Sequence, residues 1–386
     1  MIYANIEDLR QAAKRRVPRM FFDYVDSGSW SEYTRDRNTA DFNLWQLDQR
    51  VLVNVSKRDL STKIMGQESK LPFMIGPCGI GGTLAARGET QMARAAAAAG
   101  IPYALSTFAL DPIEDVAREM KGGLWFQLYA FSDRALTEML LDRARACGVT
   151  TLVLTVDATV TARRERDYRS GFVIRPLPTW DSLLDVAFHP RWIYDVLVSG
   201  PKLQLGSFCK LPQAGPTLLS QVYFGGRNLD ASLDWNYLAW VRSVWKGKLV
   251  VKGILNVADA RKCAERGADG IVVSNHGGRQ LDSAASTITV LPEIAKAVGH
   301  QMEILIDSGF RRGQHVIKAL CLGAHAVLLG RAPLFGLGAA GEAGVRQVIE
   351  LIRYEVDSLM GHMGVTSIEQ LRAEGPDLIR RDPNLR

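Results

Sequence analysis

The sequence predicts an α/β fold: a closed TIM-type (β/α)8 barrel with N-terminal helices and a long insertion between strands 4 and 5. Three observations carry this. Eight short runs, "PFMIG" (72–76), "YALS" (103–106), "WFQLY" (125–129), "TLVLTVD" (151–157), "LVVKGI" (249–254), "GIVVSNH" (270–276), "EILIDSG" (303–309) and "AVLLGR" (326–331), are apolar throughout rather than alternating. Strands buried on both faces by flanking helices read this way. Each run is followed by a helix-like stretch rich in Ala, Arg and Glu. Eight such units closing over about 260 residues suit a barrel better than an open sheet.

The chain is expected to form a single domain of 386 residues, 1–386. Residues 1–64 read as an N-terminal helical segment. Within it, 5–28 carry two short helices, the first capped by Asn5 with Asp8 as a capping-box-like partner and ended near Pro18. The barrel occupies 65–360 and a C-terminal tail 361–386. About 90 residues separate the fourth run from the fifth where neighbours need 20 to 30, so 165–235 is an insertion.

Composition excludes several classes. With 47% apolar residues the chain can build a substantial core. Its excess of 47 basic over 41 acidic residues is small and scattered, which argues against nucleic acid. The five cysteines, Cys78, Cys147, Cys209, Cys263 and Cys321, are far apart and odd in number, as in a reducing compartment. The N-terminus has early acids and no apolar core of a signal peptide. The longest nearly uncharged run, 95–110, is broken by Gly100 and Pro102 and is too short to span a bilayer. No His, Cys or carboxylate spacing suggests a metal.

Catalytic groups of a parallel barrel gather where the strands end at their C-termini. Polar residues fall there in this sequence: Ser106, Gln127 and Tyr129, Thr155 and Asp157, Lys252, Ser274 and His276, Asp307, and Arg331. Any one of them alone reads as a satisfied core group; seven strands out of eight ending this way does not. "DSGFRRG" and "LLGRA" set Gly309, Arg311, Gly330 and Arg331 where such barrels bind phosphate, with backbone N–H groups and guanidinium forks for the oxygens. Lys252 reads either as a Schiff-base lysine or as a fixed positive charge beside an electron-accepting ring. Ser106, Gln127 and Thr155 suit the edge of a planar heterocycle, so the set describes a flavin mononucleotide (FMN) pocket. His276 is the candidate general base, with Asp157 to orient it. Arg279 and Arg164 suit a planar substrate anion, although "RRERD" reads equally as a solvated, charge-paired loop; Tyr24 and Tyr129 can donate hydrogen bonds to the same ligand, although the sequence alone favours a core aromatic at Tyr24.

At these residues the chain resembles the FMN-dependent 2-hydroxy-acid dehydrogenase and oxidase family. The motifs "FDYVDSG", "IGPCG", "FQLY", "VKGI", "SNHGGRQLD", "DSGFRRG" and "LLGRA" occur in the family's order over nearly the whole chain. The resemblance implies oxidation of an (S)-2-hydroxy acid, mandelate-like or lactate-like, to the 2-oxo acid. His276 then takes the substrate's proton and Asp157 pairs with His276. Arg164 and Arg279 bind the carboxylate, with Tyr24, Phe108 and Tyr129 also at the substrate. Pro77, Cys78, Gly79, Ser106, Gln127, Thr155, Lys252 and Ser274 meet the flavin ring side, while Asp307, Gly309, Arg311, Gly330 and Arg331 hold ribityl and phosphate. A homotetramer is implied too.

Within the family, Gly79 stands where oxidases have Ala, which suggests a quinone as electron acceptor, and Phe108 stands where Trp is common. "RRERDYRSGF" and "HPRWIYDVL" most resemble the mandelate dehydrogenase branch. Residues 180–208, large apolar side chains among scattered basic ones, resemble that branch's membrane-attachment segment; a loop folded over the site is the other reading. The expected location is the cytoplasm, with peripheral contact at the inner face of the cell membrane. The rival activities are an oxidase producing hydrogen peroxide and an FMN-dependent isomerase of a phosphorylated substrate.

Overall fold

All eight apolar runs form strands in the computed structural model, which describes residues 2–172 and 180–384. They are β1 (Phe73–Ile75), β2 (Tyr103–Ser106), β3 (Leu124–Tyr129), β4 (Thr151–Thr155), β5 (Lys248–Ile254), β6 (Gly270–Val273), β7 (Glu303–Ile306) and β8 (Ala326–Leu329). Neighbours in sequence pair in parallel, and β8 closes on β1 with Val327 opposite Phe73 and Leu329 opposite Ile75. This is the TIM barrel that the runs predict.

Inside the barrel, Met74, Ala104, Trp125, Val153, Val250, Val272, Leu305 and Leu328 form one packed cluster. Alternate residues of the same strands face outward to the helices, which is why the runs are apolar without a break. A small hairpin, Thr62–Ile64 with Gln67–Ser69, adds Ile64 and Met65 to the inner cluster at the N-terminal end of the barrel. The chain ends are clasped by Trp45–Leu47 pairing antiparallel with Ile379–Arg381. The stretch read as a tail carries a helix, Ile368–Leu378, before that strand.

Helices α1 (Ile6–Arg16) and α2 (Arg19–Asp26) break at Pro18. Asn5 accepts the Asp8 N–H at 3.0 Å, but the Asp8 carboxylate returns to the Ala4 N–H, one residue before the cap. A third helix, α3 (Tyr33–Ala40), follows. In the insertion, residues 173–179 lie outside the described residues. Beyond them come α4 (Trp180–Ala187), a wide-turned helix Ile193–Val198 and α5 (Leu218–Arg227). The insertion is tied down at two points. Asp185 accepts the N–H of Arg19 at 2.6 Å, supplying the cap that α2 lacks from its own sequence. Trp192 is buried, stacks on Phe21 and donates to the Thr83 carbonyl at 2.7 Å. The long helix after β8, α6 (Arg331–His362), bends at Ala340 and Gly341.

Candidate active site

Because all eight strands run the same way, their C-terminal ends share one rim, and the loops there surround a cavity of about 320 Å³. Every residue singled out from the sequence lines it except Ser106, Ser274 and Asp157, which stand directly behind lining residues.

His276 follows β6 and sits in the left-handed region at φ 57°. Its Nδ1 lies 2.9 Å from Asp157 Oδ1. A carboxylate only accepts, so Nδ1 carries a proton, and in the neutral ring Nε2 keeps a lone pair. That Nε2 is 3.4 Å from the Tyr129 hydroxyl. Burial alone would raise Asp157, but the charge and hydrogen bond of His276, with Lys252 beyond, hold it below the ordinary carboxylate value. The approach of Asp157 depends on Gly253, in the bulge of β5 at φ 112°: a Cβ there would meet Asp157 Cβ at 2.6 Å.

Lys252 is buried and pairs with Asp307 at 3.0 Å while donating to Ser274 Oγ at 3.0 Å. Burial pulls its pKa down, yet Asp307 and Asp157 bring it above the usual lysine value. An ammonium kept charged is a poor Schiff-base nucleophile and a good fixed cation, which favours the second of the two sequence readings of Lys252. Across the floor, Ser106 donates to Gln127 Oε1 at 2.9 Å and Gln127 Nε2 donates to Thr155 Oγ1 at 2.9 Å. The chain of donors fixes which way the Gln127 amide faces. Pro77, Cys78 and Gly79 line the cavity after β1. Burial pushes the Cys78 thiol up to about 11, so it stays protonated.

At one end of the cavity, Gly309 and Arg311 follow β7, and Gly330 begins α6 with no side chain capping it. Uncapped helix N–H groups attract an anion. Burial brings Arg311 down to about 10 and, with the neighbouring charges of Arg279 and Arg311, lowers Arg331 strongly. Among the described residues no carboxylate pairs with Arg279, Arg311 or Arg331 (ion pairs elsewhere are numerous). Arg331 instead donates to the carbonyls of Val25, Ser27 and Gly277. Buried cations without counter-charge are costly, so this end fits a multiply charged anion such as a phosphate.

The other anion position lies around Tyr24 on α2. Arg279 Nη1 donates to the Tyr24 and Ser27 carbonyls at 2.6 and 3.0 Å. The guanidiniums of Arg279 and Arg164 stand 4.7 and 5.2 Å from the Tyr24 ring centre. Arg164 has a partner in Asp167 at 2.6 Å; Arg279 has none, and burial followed by the charge of Arg164 lowers it. Beyond the arginines the wall is apolar: Phe108, Phe172, Val160, Val222 and Leu229. Phe108 meets Tyr129 edge-on at 5.3 Å. Sequence reasoning placed Phe108 at the substrate but missed the rest of this wall, and also Ser308, which accepts the Gly277 N–H at 3.0 Å and donates to Asp307 at 2.9 Å. The position of Ser308 inside "DSGFRRG" was the available signal.

The model of the FMN-dependent dehydrogenase family matches residues 13–379. An L-lactate dehydrogenase of Xanthomonas oryzae pv. oryzae is 45% identical over 384 residues, 99% of this chain and 98% of that protein. One of Pseudomonas aeruginosa is 45% identical over 376 residues, 97% of this chain and 98% of that protein. Among solved structures, a monotopic membrane protein, (S)-mandelate dehydrogenase, superposes with a TM-score of 0.93 at 42% identity, covering 99% of this chain and 100% of that one. A mandelate oxidase with (S)-2-phenylpropionate gives 0.82 at 33% identity, with 99% of each chain covered. With its barrel, its charged and apolar cavity ends and this match over almost its whole length, the chain belongs to the FMN-dependent dehydrogenases.

Proposed function

We propose that this enzyme oxidises an (S)-2-hydroxy acid, mandelate-like or lactate-like, to the 2-oxo acid and passes the electrons to a quinone. The observation that carries the reading is the His276–Asp157 pair facing Arg164 and Arg279 across one cavity whose far end collects unpaired buried cations. FMN fits that donor set: Gln127, Thr155 and Lys252 for the ring edge, Asp307, Gly309, Arg311, Gly330 and Arg331 for ribityl and phosphate. Bound FMN accepts the two electrons lost when the substrate C–OH becomes C=O.

The protein supplies the rest. Arg279 and Arg164 hold the substrate carboxylate, and the Tyr24 and Tyr129 hydroxyls donate to it or to the 2-hydroxyl. His276 Nε2 receives the proton that the substrate gives up, and Asp157 stabilises the imidazolium formed. Lys252, held cationic by Asp307 and Asp157, offsets negative charge arriving at the ring. The apolar wall of Phe108, Phe172, Val160, Val222 and Leu229 faces the substrate's side chain and excludes water.

A quinone acceptor is supported by Gly79 and by the apolar surface of the insertion, where Trp180, Leu184, Phe188, Tyr194 and Val198 are all more than half exposed. Such a surface suits peripheral attachment to the inner face of the cell membrane. Among the described residues no helix is long and apolar enough to cross it. A homotetramer is carried by the family resemblance alone, and mass measurement in solution tests it.

The decisive experiment adds (S)-mandelate and (S)-lactate to the FMN-loaded protein without oxygen. Bleaching of the flavin absorbance is expected; no bleaching by these or other 2-hydroxy acids overturns the reading. The likeness to a mandelate oxidase keeps one alternative, hydrogen peroxide production. Slow reoxidation in air with fast reoxidation by a soluble quinone supports the dehydrogenase.

A further inference from the structure

The loop that carries His276 and Arg279 begins on left-handed backbone. Residues 276, 277 and 278 all have φ between 57° and 70°, and the first of them is not glycine. A non-glycine residue stays in this region where its surroundings over-determine it. Three side chains hold it from the barrel: Ser274 Oγ accepts the His276 N–H at 3.1 Å, Ser308 Oγ accepts the Gly277 N–H at 3.0 Å, and Asn275 Oδ1 accepts the Gly278 N–H at 3.0 Å.

The fourth support comes from outside the barrel. Asn38, on α3, donates to Asn275 Oδ1 at 2.8 Å and receives the Asn275 amide N–H at 2.7 Å. This reciprocal amide pair joins positions 237 residues apart. Both side chains are buried, at 1% and 4% exposure, so water cannot replace either partner. The rest of α3 fits the same loop. Gly278 leaves no room for a Cβ, which would lie 2.4 Å from the Arg35 nitrogen. Asp282 accepts the Ser31 and Thr34 N–H groups at 3.0 and 2.9 Å.

From this geometry we infer that Asn38 is a positioning residue for the reaction: through Asn275 it fixes the turn that aims His276 at the substrate. The inference rests on the role given to His276 under Proposed function. Asn38 does not line the cavity and acts on the base through the backbone of 275–278. Arg279 has its own anchors in the Tyr24 and Ser27 carbonyls, so loosening the turn displaces the base more than the carboxylate clamp.

The test is Asn38→Leu, which keeps side-chain size and removes both hydrogen bonds, with Asn38→Ala as the second variant should Leu fail to fold. In the FMN-loaded enzyme, the rate of flavin reduction by (S)-mandelate or (S)-lactate, per bound flavin, is expected to fall at least tenfold while the substrate's apparent Kd changes less than threefold. Backbone hydrogen exchange over 275–279 is expected to speed up at least tenfold, a readout that needs no substrate. A purely structural Asn38 predicts lower thermal stability and FMN content with an unchanged reduction rate per bound flavin. That result, or unchanged exchange in the loop, overturns the inference. Failure of the unmodified enzyme to be bleached by any 2-hydroxy acid sinks the proposed function instead, and the exchange measurement still decides whether Asn38 holds the loop.

Discussion

Arg279 spends its Nη1 on the Tyr24 and Ser27 carbonyls and stacks over the Tyr24 ring. A lysine ammonium can neither span both carbonyls nor present a second planar donor pair to a carboxylate. Arg279→Lys is therefore expected to lose roughly 10- to 100-fold in kcat/KM, the value of one charged hydrogen bond at about 1.5–3 kcal/mol. Steady-state kinetics with a soluble dye as acceptor measures it, and an unchanged value moves the carboxylate elsewhere. His315 allows a test at the phosphate end. It stacks on Phe42 at 4.1 Å, accepts the Arg311 N–H at 3.2 Å, and is pushed by burial, then by Lys318 and Arg311, down to about 3. The unfolded chain takes up that proton near 6.5 while the folded one resists it. Its contribution is thus complete above pH 6.5 and declines as pH falls toward 3, by about 1.4 kcal/mol at pH 5.5. Thermal midpoints at pH 7 and 5.5 should differ less in His315→Gln, which keeps an acceptor, than in the unaltered protein. Equal differences mean that His315 is not held neutral by the fold.

One face of helix α5 forms part of the cavity wall. Val222, Gly225 and Gly226 recur at the spacing of a single helical stripe, and Leu229 follows just past the helix end. Gly225 has a packing reason, because a Cβ there would lie 2.7 Å from the Phe108 ring. Gly226 has none: a Cβ would find nothing within 4 Å, yet the residue lines the cavity. Glycine costs about 1 kcal/mol against alanine inside a helix, so Gly226→Leu should not lower the thermal midpoint. It should narrow the space for the substrate's side chain and cut flavin reduction by (S)-mandelate about tenfold relative to (S)-lactate, the scale of discrimination an apolar pocket gives. An unchanged ratio means that the side chain lies along another wall. This stripe shows where the sequence reading ran out. The insertion is legible only as an interval too long for a barrel connection. The signals were present: Thr217 and Ser220 form a capping box ahead of the apolar stripe in "LLSQVYFGGR".

For the whole molecule, legibility followed burial. The barrel strands could be read because both their faces are covered, which makes every position apolar, and the site residues because they interrupt that pattern at its end. The N-terminal hairpin and the clasp of the chain ends consist of three-residue strands, too short to carry any period, and they form only through partners far away in sequence. Ser106 and Ser274 read as ring contacts because a strand end gives a residue's position but not the neighbour its hydroxyl will choose. The insertion joins these scales. Its inner side is fixed by Asp185 at the start of α2 and by Trp192 under the β1 loop, while Leu184, Phe188, Tyr194 and Leu197 face outward. Replacing 180–208 wholesale would remove the fixing contacts together with the surface, at about 1 kcal/mol for the cap and about 3–5 kcal/mol for the tryptophan. The cleaner variant substitutes Leu184, Phe188 and Leu197 by serine and leaves Asp185 and Trp192 in place. Sedimentation with vesicles containing anionic lipid should carry down the unaltered protein and leave the triple variant in the supernatant, with flavin reduction by the 2-hydroxy acid unchanged in both. Should the unaltered protein stay in the supernatant, the outward face of the insertion is not a membrane surface, and the route to a quinone has to begin elsewhere on the molecule.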